Sequence, residues 1–184
     1  MGKNKKSVML DRGAHNNIIA RMIRVDHAGE CGAMRIYEGQ MAVLKNHPCY
    51  KELKDMYEQE LKHRRYFETQ MQARRVRPTI LQPVWHMCGY ALGAATALLG
   101  PKGAMACTVA VEDAIAEHYQ EQINALEGAS EQDLRRTIIQ FRKEEIEHRD
   151  IGLHHEAEGA PLYKLLYQTV QKASKLAIWL SKRI

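Results

Sequence analysis

Two short segments of the chain pair a glutamate with a histidine three residues later: Glu60 with His63, and Glu145 with His148. In a helix, residues at positions i and i+3 lie on the same face. Each segment could therefore offer a carboxylate oxygen and an imidazole nitrogen to one metal ion. So short a pattern also arises by chance, and its value depends on what surrounds it.

Both segments lie in stretches whose apolar residues are spaced alternately by three and four, the spacing of a helix face that packs in a core. Two further glutamates, Glu30 and Glu112, interrupt two other stretches of the same kind. The four stretches cover residues 23–44, 53–67, 105–119 and 134–148. A buried carboxylate is costly unless it is paired or binds a metal ion. The alternative to a metal site is that these carboxylates are held in salt bridges.

The four glutamates also fall at matching heights. The midpoint of Glu30 and Glu60 lies at a predicted turn, 46–48, and the midpoint of the other two lies at a second predicted turn, at Gly128. Residues equidistant from the turn of an antiparallel helical hairpin face each other, so each hairpin places its glutamates at one level, roughly 22–25 Å from the turn. The chain is therefore predicted to repeat one hairpin twice, each with a lone glutamate followed by Glu-x-x-His.

Four carboxylates and two imidazoles can bind two metal ions. A set of hard carboxylates with imidazole and no thiolate suits iron or manganese better than a structural zinc ion. Ferritin-like di-iron and di-manganese bundles use this ligand set. The sequence thus predicts a dinuclear site with six ligands: Glu30, Glu60, His63, Glu112, Glu145 and His148.

The elements that must position these ligands are helices. Prolines number only five and strand-favouring aromatic residues are few, which excludes all-β and collagen-like chains. Turn residues divide the chain into helices near 14–45, 48–75, 83–99, 104–127, 130–157 and 161–182. We predict an all-α, ferritin-like four-helix bundle in a single domain (1–184), with an extra interfacial helix between the hairpins, a C-terminal helix and a flexible segment at 1–13.

The chain carries 27 basic and 22 acidic residues, a net charge of +5. Its basic clusters form a solvated face or meet an anionic membrane surface. No nucleic-acid-binding signature accompanies them, so no nucleic-acid partner is expected. The four cysteines form no C-x-x-C pair and fit a reducing compartment. The first residues resemble neither a signal peptide nor a transit peptide, which predicts an intracellular product, bacterial or already trimmed.

Residues 78–101 contain no Asp, Glu, Lys or Arg. Pro83 and several glycines and alanines interrupt this stretch, which argues against a helix that spans a membrane. Two interpretations stay open, namely a helix that lies in the membrane interface and an internal packing helix.

Longer motifs around the glutamates resemble the demethoxyubiquinone hydroxylase family of ubiquinone biosynthesis. The motifs lie at residues 24–30, 35–41, 91–100, 103–112 and 144–152. The resemblance extends over nearly the whole chain after about residue 16. It implies a di-iron monooxygenase that hydroxylates the ring of a demethoxyubiquinol (2-polyprenyl-3-methyl-6-methoxy-benzoquinol) with O₂.

Carried over position by position, the family's iron ligands are the six residues named above, and Glu60 and Glu145 can bridge both irons. The resemblance also implies two Fe ions per chain and NADH as an electron donor that is not tightly bound. The expected partners are a membrane-borne polyprenyl quinone, a membrane surface, other ubiquinone-biosynthesis proteins and a second copy of the chain. The expected location is the cytoplasmic side of a bacterial cell membrane or the matrix side of the mitochondrial inner membrane.

Metal ligands are commonly oriented by outer hydrogen-bond partners. Candidates for this role are Asp26, His27, Asp113, His118, Tyr119 and Asp150. An ordinary core or surface role is the alternative for each. Two other functions also stay open: a ferritin-like di-iron oxidase or peroxidase, and a non-enzymatic iron-binding bundle. The first is disfavoured because no Cys₄ iron domain is present, and the second because the charge-free stretch predicts membrane partitioning.

Overall fold

The computed structural model describes residues 3–128 and 130–183, which form six α-helices, a short 3₁₀ helix and, within those ranges, no strand. The helices are α1 (Lys3–Val43), α2 (Tyr50–Arg74), α3 (Gln82–Leu98), α4 (Pro101–Ala125), α5 (Gln132–His154) and α6 (Tyr163–Ser181). The prediction of an all-α bundle is confirmed.

Two helix ends differ from the predicted bounds. Helix α1 begins at Lys3 rather than near residue 14, and α5 ends at His154, before the short 3₁₀ helix Ala157–Gly159. The flexibility of residues 1–13 stays a prediction. The first two residues of this segment lie outside the described part of the chain. The predicted turn at Gly128 is present, with a φ of 72° that favours glycine.

Four of the helices, α1, α2, α4 and α5, form an antiparallel bundle in which the chain turns back between α1 and α2 and between α4 and α5. Two apolar clusters fill it. One includes Ile23, Phe67 and Ile138, and the other includes Leu53 and Met105. The glutamates of the predicted site lie between these clusters, so apolar side chains close the site toward both ends of the bundle.

Helix α3 packs along α1 with the two backbones in direct contact. A Cβ atom at Gly93 would overlap the carbonyl oxygen of Ile36, and one at Gly89 would lie 2.8 Å from that of Gly32. Only glycine permits this approach. Among the described residues, none of the helices combines the length and apolar character needed to cross a membrane.

Helix α6 lies against α4 and closes one side of the bundle. The Tyr167 hydroxyl donates to Asp113 Oδ2 at 2.8 Å, and Lys175 Nζ lies 2.5 Å from a carboxylate oxygen of Glu117. The Trp85 Nε1–H of α3 donates to Ser181 Oγ at 3.0 Å. Helices α3 and α6 are therefore joined over the same side of the bundle.

Candidate metal centre

The six predicted ligands meet in the middle of the bundle, and each is at most 1% exposed. They form two overlapping groups that could each hold a metal ion: Glu30, Glu60, His63 and Glu145 in the first, and Glu60, Glu112, Glu145 and His148 in the second. The candidate ligand atoms of each group lie within 4.8 Å of one another. Glu60 and Glu145 belong to both groups, which is the position expected of bridging carboxylates.

The two Glu-x-x-His segments face each other across the bundle from α2 and α5. His148 Nδ1 lies 3.0 Å from Glu60 Oε1, and His63 Nδ1 lies 3.2 Å from Glu145 Oε1. Each histidine thus points one ring nitrogen at the glutamate of the opposite helix. This reciprocity follows from the i, i+3 spacing, which places both side chains of a segment on the inner face.

The two lone glutamates are each held by a tyrosine of the opposite hairpin. The Tyr119 hydroxyl on α4 donates to Glu30 Oε1, and the Tyr37 hydroxyl on α1 donates to Glu112 Oε1, the latter at 2.6 Å. Tyr37 follows Glu30 by seven residues, as Tyr119 follows Glu112. Tyr119 was predicted from the sequence and Tyr37 was not, although the repeated seven-residue spacing was a signal that could have identified Tyr37.

The outer nitrogens of both histidines also have partners that were not predicted from the sequence. His63 Nε2 lies 2.5 Å from Glu144 Oε2, and His148 Nε2 lies 3.2 Å from Gln59 Oε1. Gln59 and Glu144 are the residues immediately before Glu60 and Glu145. They were missed because they lie off the predicted inner faces of α2 and α5.

Buried polar atoms without a hydrogen-bond partner in the protein indicate where metal ions could bind. Eight atoms of the six residues are buried without a hydrogen-bond partner in the described part of the chain. They are both carboxylate oxygens of Glu60 and Glu145, Oε2 of Glu30 and Glu112, and Nδ1 of His63 and His148. Burying so many unpaired polar atoms is costly. The donor set therefore fits two ions of the carboxylate- and imidazole-binding type.

Burial and mutual repulsion shift the pKa values of the two lone glutamates upward. Burial, with the Glu60 charge, raises the pKa of Glu30 to about 8. Burial and the Glu145 charge raise the pKa of Glu112 well above its ordinary value. Both shifts favour the neutral form of the carboxyl when no metal is bound.

The pKa values of the other four groups shift so as to favour their charged forms. Those of the two histidines are raised, and those of Glu60 and Glu145 are lowered. Burial disfavours charge on His148, but the adjacent carboxylates of Glu145 and Glu60 outweigh this and raise its pKa to about 11. The pKa of His63 is raised for the same reason. Burial likewise opposes ionisation of Glu60 and Glu145, but the two adjacent histidines help to lower both pKa values. The metal-free cluster thus balances two carboxylates against two imidazolium groups.

Two of the residues predicted to orient ligands form a buried network near Glu30. The Gln122 side chain donates to Asp26 Oδ1 at 2.6 Å, and His118 Nε2 lies 3.4 Å from the same oxygen. Burial raises the pKa of Asp26 against the opposing effect of His118. His27 lies at the edge of the cluster, with Nε2 3.7 Å from a carboxylate oxygen of Glu68. An orienting role for these residues stays a prediction.

The structure places Asp113 and Asp150 elsewhere. Asp113 accepts the hydrogen bond from Tyr167 and lies 3.5 Å from Arg149 Nη1. Asp150 is exposed and accepts hydrogen bonds from the same arginine at 2.9 and 2.6 Å. These contacts join α4, α5 and α6 on the outside of the bundle.

A helical bundle that buries four glutamates and two histidines in two overlapping groups is the architecture of di-metal carboxylate proteins. This chain belongs to the ubiquinone biosynthesis protein COQ7 family, whose model matches residues 17–181.

Named relatives are similar over most of their length. The chain is 53% identical over 169 residues to the mitochondrial NADPH-dependent 3-demethoxyubiquinone 3-hydroxylase of Bos taurus, covering 90% of this chain and 78% of the relative. It is 47% identical over 184 residues to the Dictyostelium discoideum protein of that name, covering 99% and 85%. It is 49% identical over 168 residues to the 3-demethoxyubiquinol 3-hydroxylase of Rhodospirillum rubrum, covering 91% and 79%. The resemblance drawn from the motifs is confirmed.

Proposed function

We propose that this chain is a 3-demethoxyubiquinol 3-hydroxylase of ubiquinone biosynthesis, acting as a di-iron monooxygenase. The observation that carries the proposal is the pair of overlapping Glu/His groups with eight unpartnered buried atoms. The family and the names of its members support the reaction, since the bovine and Rhodospirillum relatives are named as hydroxylases of this ring.

In this proposal the six clustered residues would hold two Fe ions, and Glu60 and Glu145, which belong to both groups, could contribute to both. Bound iron supplies the activation of O₂ and the transfer of one oxygen atom to the ring. The tyrosines Tyr37 and Tyr119 each occupy one oxygen of a lone glutamate, which leaves the other oxygen for a metal ion. The apolar clusters above and below keep water from the site.

The substrate ring is proposed to enter from the side of α3 and α6. A cavity of about 360 Å³ lies between α1, α3, α4 and α6, and its walls are almost wholly apolar. Gly29 and Val111, which adjoin Glu30 and Glu112 in the sequence, are among its lining residues. Its size and apolar lining suit a benzoquinol ring with the start of a polyprenyl tail. Helices α2 and α5 do not contribute to the lining residues, so this approach reaches the side of the lone glutamates.

Peripheral membrane association is proposed through the outer faces of α3 and α6. On α3, Met87 and Leu98 are 74% and 75% exposed, and no charged residue occurs on this helix. On α6, Leu176 and Trp179 are about half exposed, beside basic residues of 172–183. Apolar side chains next to basic ones suit the surface of an anionic bilayer. A polyprenyl quinone could then pass from the bilayer into the cavity.

The electron donor is proposed to be a reduced nicotinamide nucleotide that is not tightly bound. The motif resemblance implied NADH, whereas several relatives are named as NADPH-dependent. The membrane face, the other ubiquinone-biosynthesis proteins and a second copy of this chain stay proposed partners. Both mitochondrial and bacterial proteins occur among the relatives, so both proposed locations are retained.

The proposal is tested by product formation. Iron-loaded protein is incubated with a short-chain demethoxyubiquinol, O₂ and either NADH or NADPH. The quinones are then separated and their masses are determined by mass spectrometry. We expect a product that has gained one oxygen atom. The Glu145→Ala variant serves as the control, since loss of the Glu145 carboxylate removes a candidate ligand from both groups. Consumption of O₂ without this product would favour the oxidase or peroxidase alternative.

A further inference from the structure

The candidate centre obeys an approximate two-fold relation that exchanges α1 with α4 and α2 with α5. Each group contains one lone glutamate, one histidine and both shared glutamates. Each lone glutamate accepts a hydrogen bond from a tyrosine that follows the other lone glutamate by seven residues. In their immediate ligands and in these tyrosines, the two metal positions are therefore equivalent.

The relation is broken at the residue before each Glu-x-x-His segment. That residue is Glu144 in α5 and Gln59 in α2. Glu144 Oε2 lies 2.5 Å from His63 Nε2, and Gln59 Oε1 lies 3.2 Å from His148 Nε2. The outer nitrogen of His63 thus faces a carboxylate at the shorter distance. The outer nitrogen of His148 faces a neutral amide at the longer one.

Glu144 is held in place by two further contacts, of which one is a side-chain hydrogen bond with Gln59. Glu144 Oε1 accepts a hydrogen bond from the Gln140 side chain at 2.7 Å, one turn earlier in α5. Its side chain is only 20% exposed. The carboxylate is therefore fixed against the ring of His63 rather than free in solvent.

A metal-binding histidine that donates its outer N–H to a carboxylate becomes a stronger electron donor toward the metal. An amide oxygen carries no net charge and polarises the ring less, since hydrogen bonds to ionised acceptors are roughly twice as strong. We infer that Glu144 and Gln59 act as positioning residues that make the two metal positions unequal, with the ion beside His63 bound more tightly than the ion beside His148. This inference rests on the proposed di-iron function.

The experiment exchanges the two residues and measures Fe²⁺ binding directly. Metal-free protein is titrated anaerobically with ⁵⁷Fe²⁺, the two stepwise dissociation constants are fitted, and Mössbauer spectra are recorded at one and two equivalents. The variants are Glu144→Gln, Gln59→Glu and the double exchange. The control is Glu147→Gln, which removes an exposed carboxylate from the same helix.

In the wild type we expect two separable affinities and two distinct quadrupole doublets. Outer partners of metal ligands typically change affinity by about 10–100-fold. Glu144→Gln should weaken the tighter step by about this factor and bring the two doublets together. Gln59→Glu should strengthen the weaker step, and the double exchange should restore two unequal sites. If Glu144 and Gln59 only joined α2 to α5, the double exchange would not restore two unequal affinities.

The outcomes separate the inference from the proposed function. A wild type that binds no iron overturns both. A wild type that binds two ions with equal constants and one doublet overturns the inference alone. So does a Glu144→Gln variant whose constants match those of Glu147→Gln. If Glu144→Gln unfolds, Gln59→Glu decides the matter, because an unchanged weaker step in that variant contradicts the inference.

Discussion

Loading the metal-free protein with iron should release about four protons at pH 7. In the metal-free cluster the pKa of Glu30 is raised to about 8 and that of Glu112 is raised well above its ordinary value, which favours the protonated form of both. The pKa of His148 is raised to about 11 and that of His63 is raised too, so both rings are cationic. Metal ligands must be deprotonated carboxylates and neutral imidazoles. Two glutamates and two histidines therefore each lose a proton.

The charge balance supports this number. Two Fe²⁺ ions bring four positive charges, which match the four carboxylates once the imidazoles are neutral. About two protons per ion imply that the apparent affinity for each ion rises about 100-fold per pH unit below pH 8. Above that pH, Glu30 has already lost its proton in the metal-free state, so the release should fall by about one.

The assay is anaerobic titration calorimetry in two buffers with different heats of ionisation, at pH 7 and pH 9. The difference in heat between the buffers gives the number of protons released. Glu30→Gln is the matched variant, because its amide carries no ionisable proton, and it should release about one proton fewer. Release of two protons or fewer from wild type at pH 7 would mean that the lone glutamates are already ionised, which would refute the reasoning.

Four further predictions test other parts of the molecule. Glu145→Ala should lower iron occupancy at both positions together with turnover, as metal analysis would show; retention of two ions would contradict its shared role. Met87→Glu combined with Leu98→Glu should release the protein from anionic liposomes in flotation assays without loss of iron, and unchanged flotation would place the membrane contact elsewhere. Gly93→Ala should cost roughly 1–3 kcal/mol or more in denaturant unfolding, since its methyl group would overlap the α1 backbone. Burial raises the pKa of Cys107 to about 12. The unfolded thiol therefore ionises first, and stability should fall as pH rises from about 9 toward 12, by at most about 1.4 kcal/mol per pH unit; the slope should be smaller in Cys107→Ala.

The positions of the six clustered residues were predictable because they follow from local rules. Helix periodicity places Glu60 with His63, and Glu145 with His148, on inner faces. Equal distances from a turn then bring each lone glutamate level with its partner. The structure brings all six together as predicted, and their role as iron ligands stays a proposal that the titrations test.

The remaining features depend on tertiary packing that no local pattern reveals. Glu144 and Gln59 lie off the predicted inner faces, and only the antiparallel packing of α2 and α5 brings them to the histidines. The cavity draws its walls from four helices far apart in the sequence, including α6. Asp113 was a candidate for orienting a ligand, with an ordinary core or surface role as the alternative, and one residue along a helix turns its side chain by about 100° from that of Glu112. It therefore faces Tyr167 on α6.

The cluster is proposed to support insertion of one oxygen atom from O₂ into the quinol ring. The most direct measurement is a pair of parallel reactions with a short-chain demethoxyubiquinol, one under ¹⁸O₂ in ordinary water and one under ordinary O₂ in H₂¹⁸O. Iron-loaded wild-type protein should give a hydroxylated product with one ¹⁸O atom in the first reaction and none in the second. A product labelled from water, or no hydroxylated product from protein that holds two irons, would contradict the account.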